Sequence, residues 1–291
     1  MIIFLTSLGH PQCCKDYNKV TALLEITLRS VFSQTDPDFK FIVVCNQVPD
    51  VKFSDQRLIY HIVDFPPRDS TGLTAIFRDK GTKLTSGFLF SRQFSPDYIF
   101  IIDADDWVNV NVVNHLHRNP SYPVWHVDGG YFVNYRTKQI KRKYGMNRYC
   151  GSTFIYTPDF LMKVANIKSD IDSSAGQDQL ISATSETFIY HIIGDHQINY
   201  RYFTRMGVQP KSIPLRALGY IIETGENVSG FIGGEQGLPI DKRFCDEFGI
   251  SESFISKKRA SVIDRVRESL GCFRSFIGWL LYRKAGLNIY R

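Results

Sequence analysis

Short apolar runs alternate with amphipathic segments through the first third of the chain, and this alternation constrains the fold most strongly. The apolar runs occupy residues 2–8, 39–45, 57–63 and 98–102. Between them, residues 18–34 and 73–94 carry apolar side chains at the three- and four-residue spacing of a helix. Strands that alternate with helices predict a mostly parallel sheet with helices on both faces.

The pattern changes after Asp106. Beyond it we predict strands at 124–135, 152–157 and 217–222, a basic and aromatic loop at 138–149, a helix at 195–205 and a last helix from about residue 256. Four glycines before that last helix predict a mobile connection: Gly230, Gly233, Gly234 and Gly237.

Charge is unevenly distributed along the chain. The formal net charge is +6, but residues 257–291 contain nine Lys or Arg and two acidic residues, so the preceding residues together carry −1. That balance argues against a nucleic-acid-binding body, because phosphate contacts need a basic face on the folded domain itself. The hydrophobic content of 43% predicts a sizeable packed core.

Cysteine usage and the first residues bear on location. The six cysteines show no metal-ligand spacing, and several lie within apolar runs, which favours free, buried thiols. Residues 1–8 lack a basic leader and read as a core strand. We therefore expect a reduced, cytoplasmic setting, with peripheral association at the inner face of the cell membrane as a further expectation.

Three acids follow the apolar run at 98–102: Asp103, Asp105 and Asp106, with Ala104 between the first two. Ligands of open parallel sheets bind beyond the carboxyl ends of the strands, where these acids are expected. Paired carboxylates suit a hard cation such as Mg²⁺ or Mn²⁺, which stabilises a leaving diphosphate. The alternative is a solvated turn, which a preceding buried strand and the following Trp107 make less favourable.

Several segments together resemble the GT-A glycosyltransferases, particularly the family 2-like bacterial members. Leu28–Thr35, followed by Phe41–Asn46, looks like that family's first helix and second strand. Phe100–Asp106 is similar to its metal motif, and Gly194–His196, followed by Arg205–Gly207 and Ile213–Pro214, resembles its acid-then-helix signature. The resemblance covers about residues 1–228 and depends on the order and spacing of these parts.

The resemblance implies a GT-A type, Rossmann-like, mostly parallel α/β sheet flanked by helices, with a donor-binding half at 1–106 and an acceptor-binding and catalytic half at 107–228. The sequence pattern adds a glycine-rich connection at 229–256 and a basic amphipathic helical tail at 257–291. The donor would be a nucleotide sugar and the acceptor a hydroxyl of a glycan or lipid-linked glycan. The implied donor contacts are Thr6, Ser7, Asn46, Arg78, Asp79, Lys83, Asp103, Ala104 and Asp105, with Asp103 and Asp105 as ligands of Mn²⁺ or Mg²⁺.

The resemblance also implies a catalytic base. An inverting transfer needs a carboxylate to take the acceptor's proton, and Asp195 matches the family's acid before a helix. Its alternative role is a plain helix N-cap, and Asp178 is the reserve candidate for the base. His196 could contact metal or phosphate, and the late segment 223–227 contains no histidine, which favours inversion. In that segment Glu226 or Asn227 could instead reach the donor.

We predict acceptor contacts from the basic and aromatic segment that precedes the strand at 152–157, where a solvated loop is the alternative. The predicted acceptor residues are Trp107, Arg142, Lys143, Tyr149, Gly151 and Ser152.

The tail carries an apolar stripe with basic residues mostly outside it. Phe273, Phe276 and Trp279 lie on its predicted apolar side. An anionic membrane surface is one partner that suits such a helix, and packing on the catalytic domain or on a second subunit is the other. The stripe comprises Ile263, Val266, Leu270, Phe273, Ile277 and Leu280.

Two other functions are compatible with paired acids on an α/β sheet. A nucleotidyltransferase would carry a glycine-rich N-terminal loop ending in a basic residue, and Ser7–Pro11 does not match that pattern. A non-catalytic sugar-binding protein that kept the fold would be expected to lose its metal acids, and both acids are present.

Overall fold

The computed structural model of the chain describes residues 1–226 and 237–285. Its first half contains strands β1 (Ile2–Ser7), β2 (Phe39–Cys45), β3 (Leu58–Ile62) and β4 (Tyr98–Ile101), paired in parallel in the order β3-β2-β1-β4. Helix α1 (Tyr17–Phe32) connects β1 to β2, and helix α2 (Leu73–Ser91) connects β3 to β4. Strands β1, β2 and β4 are almost wholly buried, as continuous apolar runs covered on both faces require.

The second half extends the same sheet with strands β5 (Trp107–Val108), β6 (Val124–Asn134), β7 (Gln139–Tyr144), β8 (Phe154–Tyr156), β9 (Lys211–Ile222) and β10 (Leu238–Pro239). The short strand β8 pairs antiparallel with both β4 and β6, and β6 pairs antiparallel with β7 and parallel with β9. The predicted α/β class is confirmed, although parallel pairing among the described strands is confined to the first four and to β6 with β9.

The remaining α-helices, and one π-helix, lie between residues 112 and 285. The π-helix, Phe188–Ile193, packs against α2. The others are α3 (Val112–His117), α4 (Pro158–Ala165), α5 (Gln177–Ala183), α6 (Asn199–Arg205), α7 (Lys242–Phe248) and α8 (Val262–Ala285).

Three sequence predictions need correction. The predicted loop at 138–149 is largely strand β7, because its backbone completes the ladder of β6. The helix predicted from Asp195 begins at Asn199, since the Asp195 N–H closes the π-helix on the Tyr190 carbonyl instead. Residues 227–236, which include the start of the predicted connection with Gly230, Gly233 and Gly234, lie outside the described residues. The rest of that connection contains β10 and α7, which are packed elements.

All six cysteines are free thiols, as predicted. Within the described residues no helix is long and apolar enough to cross a bilayer.

Candidate active site

The carboxyl ends of β1, β2 and β4 meet at one edge of the sheet because these strands run parallel. Thr6 and Ser7 end β1, Asn46 follows β2, and Asp103 comes two residues after β4. The predicted donor residues of these three segments are therefore brought to one edge, the usual ligand position in such sheets.

Asp103 is paired with Lys80 of α2. The Lys80 ammonium donates to Asp103 Oδ1 at 2.5 Å, and both side chains are partly exposed. Burial alone would raise the pKa of Asp103, but the neighbouring ammonium outweighs it, so the pKa of Asp103 is lowered. This edge of the sheet thus holds an ionised carboxylate with a cation beside it.

Two glycines allow α2 to approach the π-helix closely. A Cβ on Gly81 would lie 2.1 Å from the Ile189 carbonyl oxygen, and a Cβ on Gly194 would lie 2.8 Å from the Phe77 carbonyl oxygen. Any side chain at either position would separate the two elements. The close packing brings the segment that follows Gly194 against the helix that carries Lys80.

His196 joins this cluster. Burial and the nearby Lys80 ammonium lower the pKa of His196 to about 4, although the charges of Asp195 and Asp103 oppose the shift. The imidazole is therefore neutral at neutral pH, and its buried Nε2 has no hydrogen-bond partner among the described residues. Its Nδ1 lies 3.8 Å from Asp195 Oδ1. Asp195 and His196 consequently lie beside the Asp103–Lys80 pair, an arrangement that the sequence resemblance implied only in part.

Ser152 positions Asp103 through its hydroxyl group. The Asp103 N–H donates to Ser152 Oγ at 2.7 Å, and that hydroxyl donates to Asp106 Oδ2 at 2.6 Å. Asp106 also accepts from Cys150 Sγ at 2.9 Å and from the Ile221 N–H at 3.1 Å. The third acid of the motif therefore braces the turn against β9 and the segment before β8.

We expect Asp106→Ala to lower the free energy of unfolding by about 3 kcal/mol. The substitution removes the carboxylate that accepts from Cys150, Ser152 and the Ile221 N–H and opens a cavity, and each effect costs about 1 kcal/mol or more. Urea denaturation followed by circular dichroism measures the change. Asp64→Ala removes an exposed carboxylate and should stay within about 0.5 kcal/mol. A loss of similar size in both variants would contradict the bracing role.

Asp105, two residues after Asp103, is the second acid of the predicted metal pair. Burial and the charge of Asp103 raise the pKa of Asp105 to about 7. Lys80 supplies one positive charge for two carboxylates, so a divalent ion would relieve the remaining repulsion, and oxygen ligands are what Mg²⁺ and Mn²⁺ prefer. The residues present thus fit the predicted ion.

A second group of possible ligands fits such an ion less well. One ligand atom from each of Asp103, Asp106 and Cys150 can be chosen so that all lie within 4.8 Å of one another. The Cys150 thiol is a soft ligand, and Asp106 is already occupied by three hydrogen-bond donors. This trio is a hydrogen-bonded brace rather than a site for a hard cation.

Two of the predicted donor residues, Thr6 and Asn46, carry buried polar atoms without a hydrogen-bond partner among the described residues. The Asn46 amide donates from Nδ2 to the carbonyls of Val63 and Phe65, at 3.1 and 2.7 Å, which orients its Oδ1 away from them. Asn46 Oδ1 and Thr6 Oγ1 are buried without a hydrogen-bond partner among the described residues. Buried acceptors in this state favour a ligand that donates hydrogen bonds.

The other donor residues predicted on α2 make internal ion pairs. Lys83 is fully buried, forms an ion pair with Asp79 at 2.8 Å and donates a hydrogen bond to the Leu8 carbonyl at 2.9 Å, so Lys83 anchors the segment after β1. Arg78 is paired at 2.5 Å with Asp178, whose side chain is 88% exposed. Asp178 therefore faces solvent, unlike Asp195.

The predicted acceptor residues are dispersed. Trp107 is 1% exposed and packs against Phe244 and Phe254, so it offers no surface to an acceptor. Arg142 is committed to Glu268 of α8, with Nε 2.7 Å from Oε1, and Ser152 is fully buried.

Several residues of the predicted acceptor and late segments remain near the surface. Lys143 lies over the rings of Phe132 and Tyr149, at 5.0 and 6.0 Å from their centroids. Gly151 remains partly exposed beside Asp103. In the late segment, Glu226 is partly exposed and contributes to the raised pKa of Cys14, after burial, whereas Asn227 lies outside the described residues.

Lys80 and the bracing role of Asp106 were not among the residues and roles predicted from the sequence. Lys80 shares a helix face with Phe77 and Leu84, at three- and four-residue spacing, and Leu84 is buried. A lysine on the core-facing side of a helix needs an acidic partner, and this is the signal that could have identified it.

Comparison with known proteins finds likeness only in three dimensions. No protein-family model matches the chain, and no curated protein matches it. Among solved structures it is similar to residues 1–349 of TarS from S. aureus in complex with UDP-GlcNAc, at 12% identity and a TM-score of 0.44, over 79% of this chain and 61% of that chain.

Two further structures show the same level of likeness. TarS 1–349 without a named ligand is 11% identical over 76% of this chain and 60% of that chain, with a TM-score of 0.40. A candidate nucleotide-diphospho-sugar transferase from Desulfovibrio desulfuricans G20 is 8% identical over 76% of this chain and 80% of that chain, with a TM-score of 0.36. The chain spans less than two thirds of each TarS structure, and the likeness is one of fold.

Proposed function

We propose that this chain is a glycosyltransferase that moves a sugar from a nucleoside-diphosphate donor to a hydroxyl group of a glycan or lipid-linked glycan. The observation that carries the proposal is the convergence of Asp103, Asp105, Lys80 and Asp195 at the carboxyl edge of parallel strands. Paired acids, a cation and a further carboxylate are the groups that transfer from a diphosphate requires.

In this proposal Asp103 and Asp105 hold a divalent cation. When bound, Mg²⁺ or Mn²⁺ supplies positive charge against the leaving diphosphate. Lys80 contributes a second positive charge at the same edge, and an ammonium group is a compact phosphate ligand. A Cβ added to Gly151 would lie 3.1 Å from both Lys80 Nζ and Asp103 Oδ2, so a side chain at this position would crowd the pair that the diphosphate must reach.

The transfer step uses Asp195 as base. The acceptor oxygen forms a bond to the anomeric carbon of the donor while the bond from that carbon to the diphosphate oxygen breaks. The acceptor proton passes to the Asp195 carboxylate, and the nucleoside diphosphate leaves. Attack on the side opposite the leaving group inverts the configuration. The neutral imidazole of His196 lies next to Asp195 and leaves its carboxylate without a neutralising charge.

The nucleotide base is assigned to the ends of β1 and β2. Asn46 Oδ1 and Thr6 Oγ1 are buried acceptors that lack partners in the described chain, so an N–H or O–H of the base or ribose would satisfy them. Ser7 lies next along β1 and Lys83 and Asp79 act indirectly, by anchoring Leu8.

A screen of nucleotide sugars tests the proposal. Thermal unfolding of the intact chain is measured with UDP-, GDP-, CMP- and dTDP-sugars, with and without Mn²⁺. A ligand that binds only the folded state raises the midpoint, and one hundredfold above its Kd it adds about 2.7 kcal/mol. Stabilisation by none of the four classes, with or without Mn²⁺, would argue against a nucleotide-sugar enzyme.

Lys80→Met is expected to weaken binding of the nucleoside diphosphate by about tenfold to a hundredfold. The variant removes a charge-assisted contact worth about 1.5–3 kcal/mol and keeps most of the side-chain volume. Isothermal titration with the diphosphate that the screen identifies measures the change. Lys163→Met, which removes an exposed ammonium on α4, is the matched control. Equal affinities in the two variants would remove Lys80 from the donor site.

A further inference from the structure

The inner face of helix α8 is fixed to the body of the protein. Glu268 is buried and accepts from both the backbone N–H and the guanidinium of Arg142 on β7. Ser275 exchanges hydrogen bonds with the backbone of Tyr144, at 2.9 and 3.1 Å. Trp279 is buried between aromatic rings, which corrects its predicted place on the apolar stripe. The helix is therefore an integral element with a defined outer face.

That outer face is apolar. Its six large side chains are between 39% and 62% exposed, and no described residue covers them. At 100° per residue they lie on the side opposite Glu268, Ser275 and Trp279. Packing of the stripe on the catalytic domain, one of the two sequence interpretations, is thereby excluded for the described residues. Leu281 takes the place of the predicted Leu280, which is only partly exposed, so the outer stripe comprises Ile263, Val266, Leu270, Phe273, Ile277 and Leu281.

Basic side chains flank the outer stripe. Arg267 and Arg274 lie along one side of it, and both are exposed. Neither makes an ion pair with a carboxylate of the described chain, in contrast to Arg142 and Arg283. Between residues 257 and 285 there are eight Lys or Arg and two acidic residues. The stripe therefore lies in a strongly positive surface.

Further uncompensated charge lies at the start of the helix. A cavity of about 700 Å³ between β7, α7 and α8 is lined by basic residues from all three elements, together with Asp241, Glu247 and Glu268. Lys258, Arg259 and Arg265 line it without an ion pair among the described residues. Anionic groups arriving at the outer stripe would meet these cations as well.

We propose that the outer face of α8 docks on a bilayer that contains anionic lipids. The helix would lie in the interface plane, with the stripe at the acyl boundary and the arginines against lipid phosphates. A second copy of the chain fits less well, because two such faces would bring like charges together, whereas an anionic surface complements them. The proposal does not depend on the proposed catalytic function, since vesicle binding requires neither donor nor cation.

Vesicle flotation of the intact chain tests the proposal. Vesicles of phosphatidylcholine with phosphatidylglycerol should carry the protein upward, and vesicles of phosphatidylcholine alone should not. The doubly substituted Leu270→Ser/Phe273→Ser chain should partition at least about tenfold less, since it loses two large apolar side chains from the stripe. Arg267→Gln/Arg274→Gln should partition on the order of thirtyfold less, and high salt should weaken the wild type similarly.

A matched control separates docking from general surface effects. Ile62 on strand β3 is 62% exposed, similar to Phe273 at 61%, and Ile62→Ser should float like the wild type. Circular dichroism and thermal midpoints verify that each variant is folded. The proposal fails if the wild type does not float, or if neither double variant floats less. It also fails if light scattering reveals a dimer that Leu270→Ser/Phe273→Ser disperses while no variant binds vesicles.

Discussion

Replacing Asp105 with alanine should abolish metal-dependent turnover of the donor, a loss on the order of a thousandfold or more. The variant removes one of two carboxylates at the proposed cation site, and electrostatic groups at a developing charge commonly contribute that much. Burial and Asp103 already disfavour ionisation of Asp105, so the fold should lose little when this carboxyl is removed. We expect the thermal midpoint without ligand to change little.

Two measurements distinguish loss of the cation from loss of the fold. Mn²⁺ should stabilise the wild type against heat and should not stabilise Asp105→Ala. Asp64→Ala removes an exposed carboxylate away from the proposed cation site, so this variant should keep both the stabilisation by Mn²⁺ and the turnover of the donor. Full activity of the wild type in excess EDTA, or of Asp105→Ala with Mn²⁺, would show that the pair does not hold a required ion.

Asp195→Asn should lower transfer by about two orders of magnitude or more, with the donor affinity little changed. The amide cannot take the acceptor's proton, and general base catalysis contributes about 100-fold to 10,000-fold. An effect on kcat with little effect on donor binding identifies a group that acts in the transition state. Single-turnover transfer and donor titration, measured on the same variant, provide the two quantities.

Asp178→Asn is the comparison that decides the assignment. The Asp178 side chain is 88% exposed and paired with Arg78, so its amide variant should retain nearly full transfer. The opposite outcome, with Asp195→Asn nearly as active as the wild type and Asp178→Asn inactive, would transfer the base to Asp178.

The parallel half of the fold could be predicted from local pattern. The run at 39–45 coincides with β2, and the predicted helix at 18–34 differs by two residues or fewer from α1 at each end. These elements are buried in continuous runs or on one helix face, so their periodicity is visible in the sequence. The position of Asp103 followed from the same reasoning, since the end of a buried strand determines it.

The partners of Asp103 could not be predicted in this way. Lys80 is 23 residues away in sequence and Ser152 is 49, while Asp106 and Ile221 are 115 apart. Contacts of that separation depend on how the elements pack, and a single sequence carries no periodicity that reports them. The same limit explains why β7 was predicted as a loop: its basic sequence favours a loop, and only its backbone pairing with β6 makes it a strand.

The acids at the end of β4 are held in place by residues that are synthesised much later than the acids themselves. Synthesis from the N-terminus completes the parallel strands first, and at that stage the carboxylates that follow β4 lack their hydrogen-bond partners from the second half. Ser152 and the Ile221 N–H reach them only after a further 49 and 115 residues, counted from Asp103 and Asp106 respectively. Long-range contacts of this kind form late. A nascent or truncated donor half would therefore contain the acids without the hydrogen bonds that fix their positions. The site forms only when both halves have folded together.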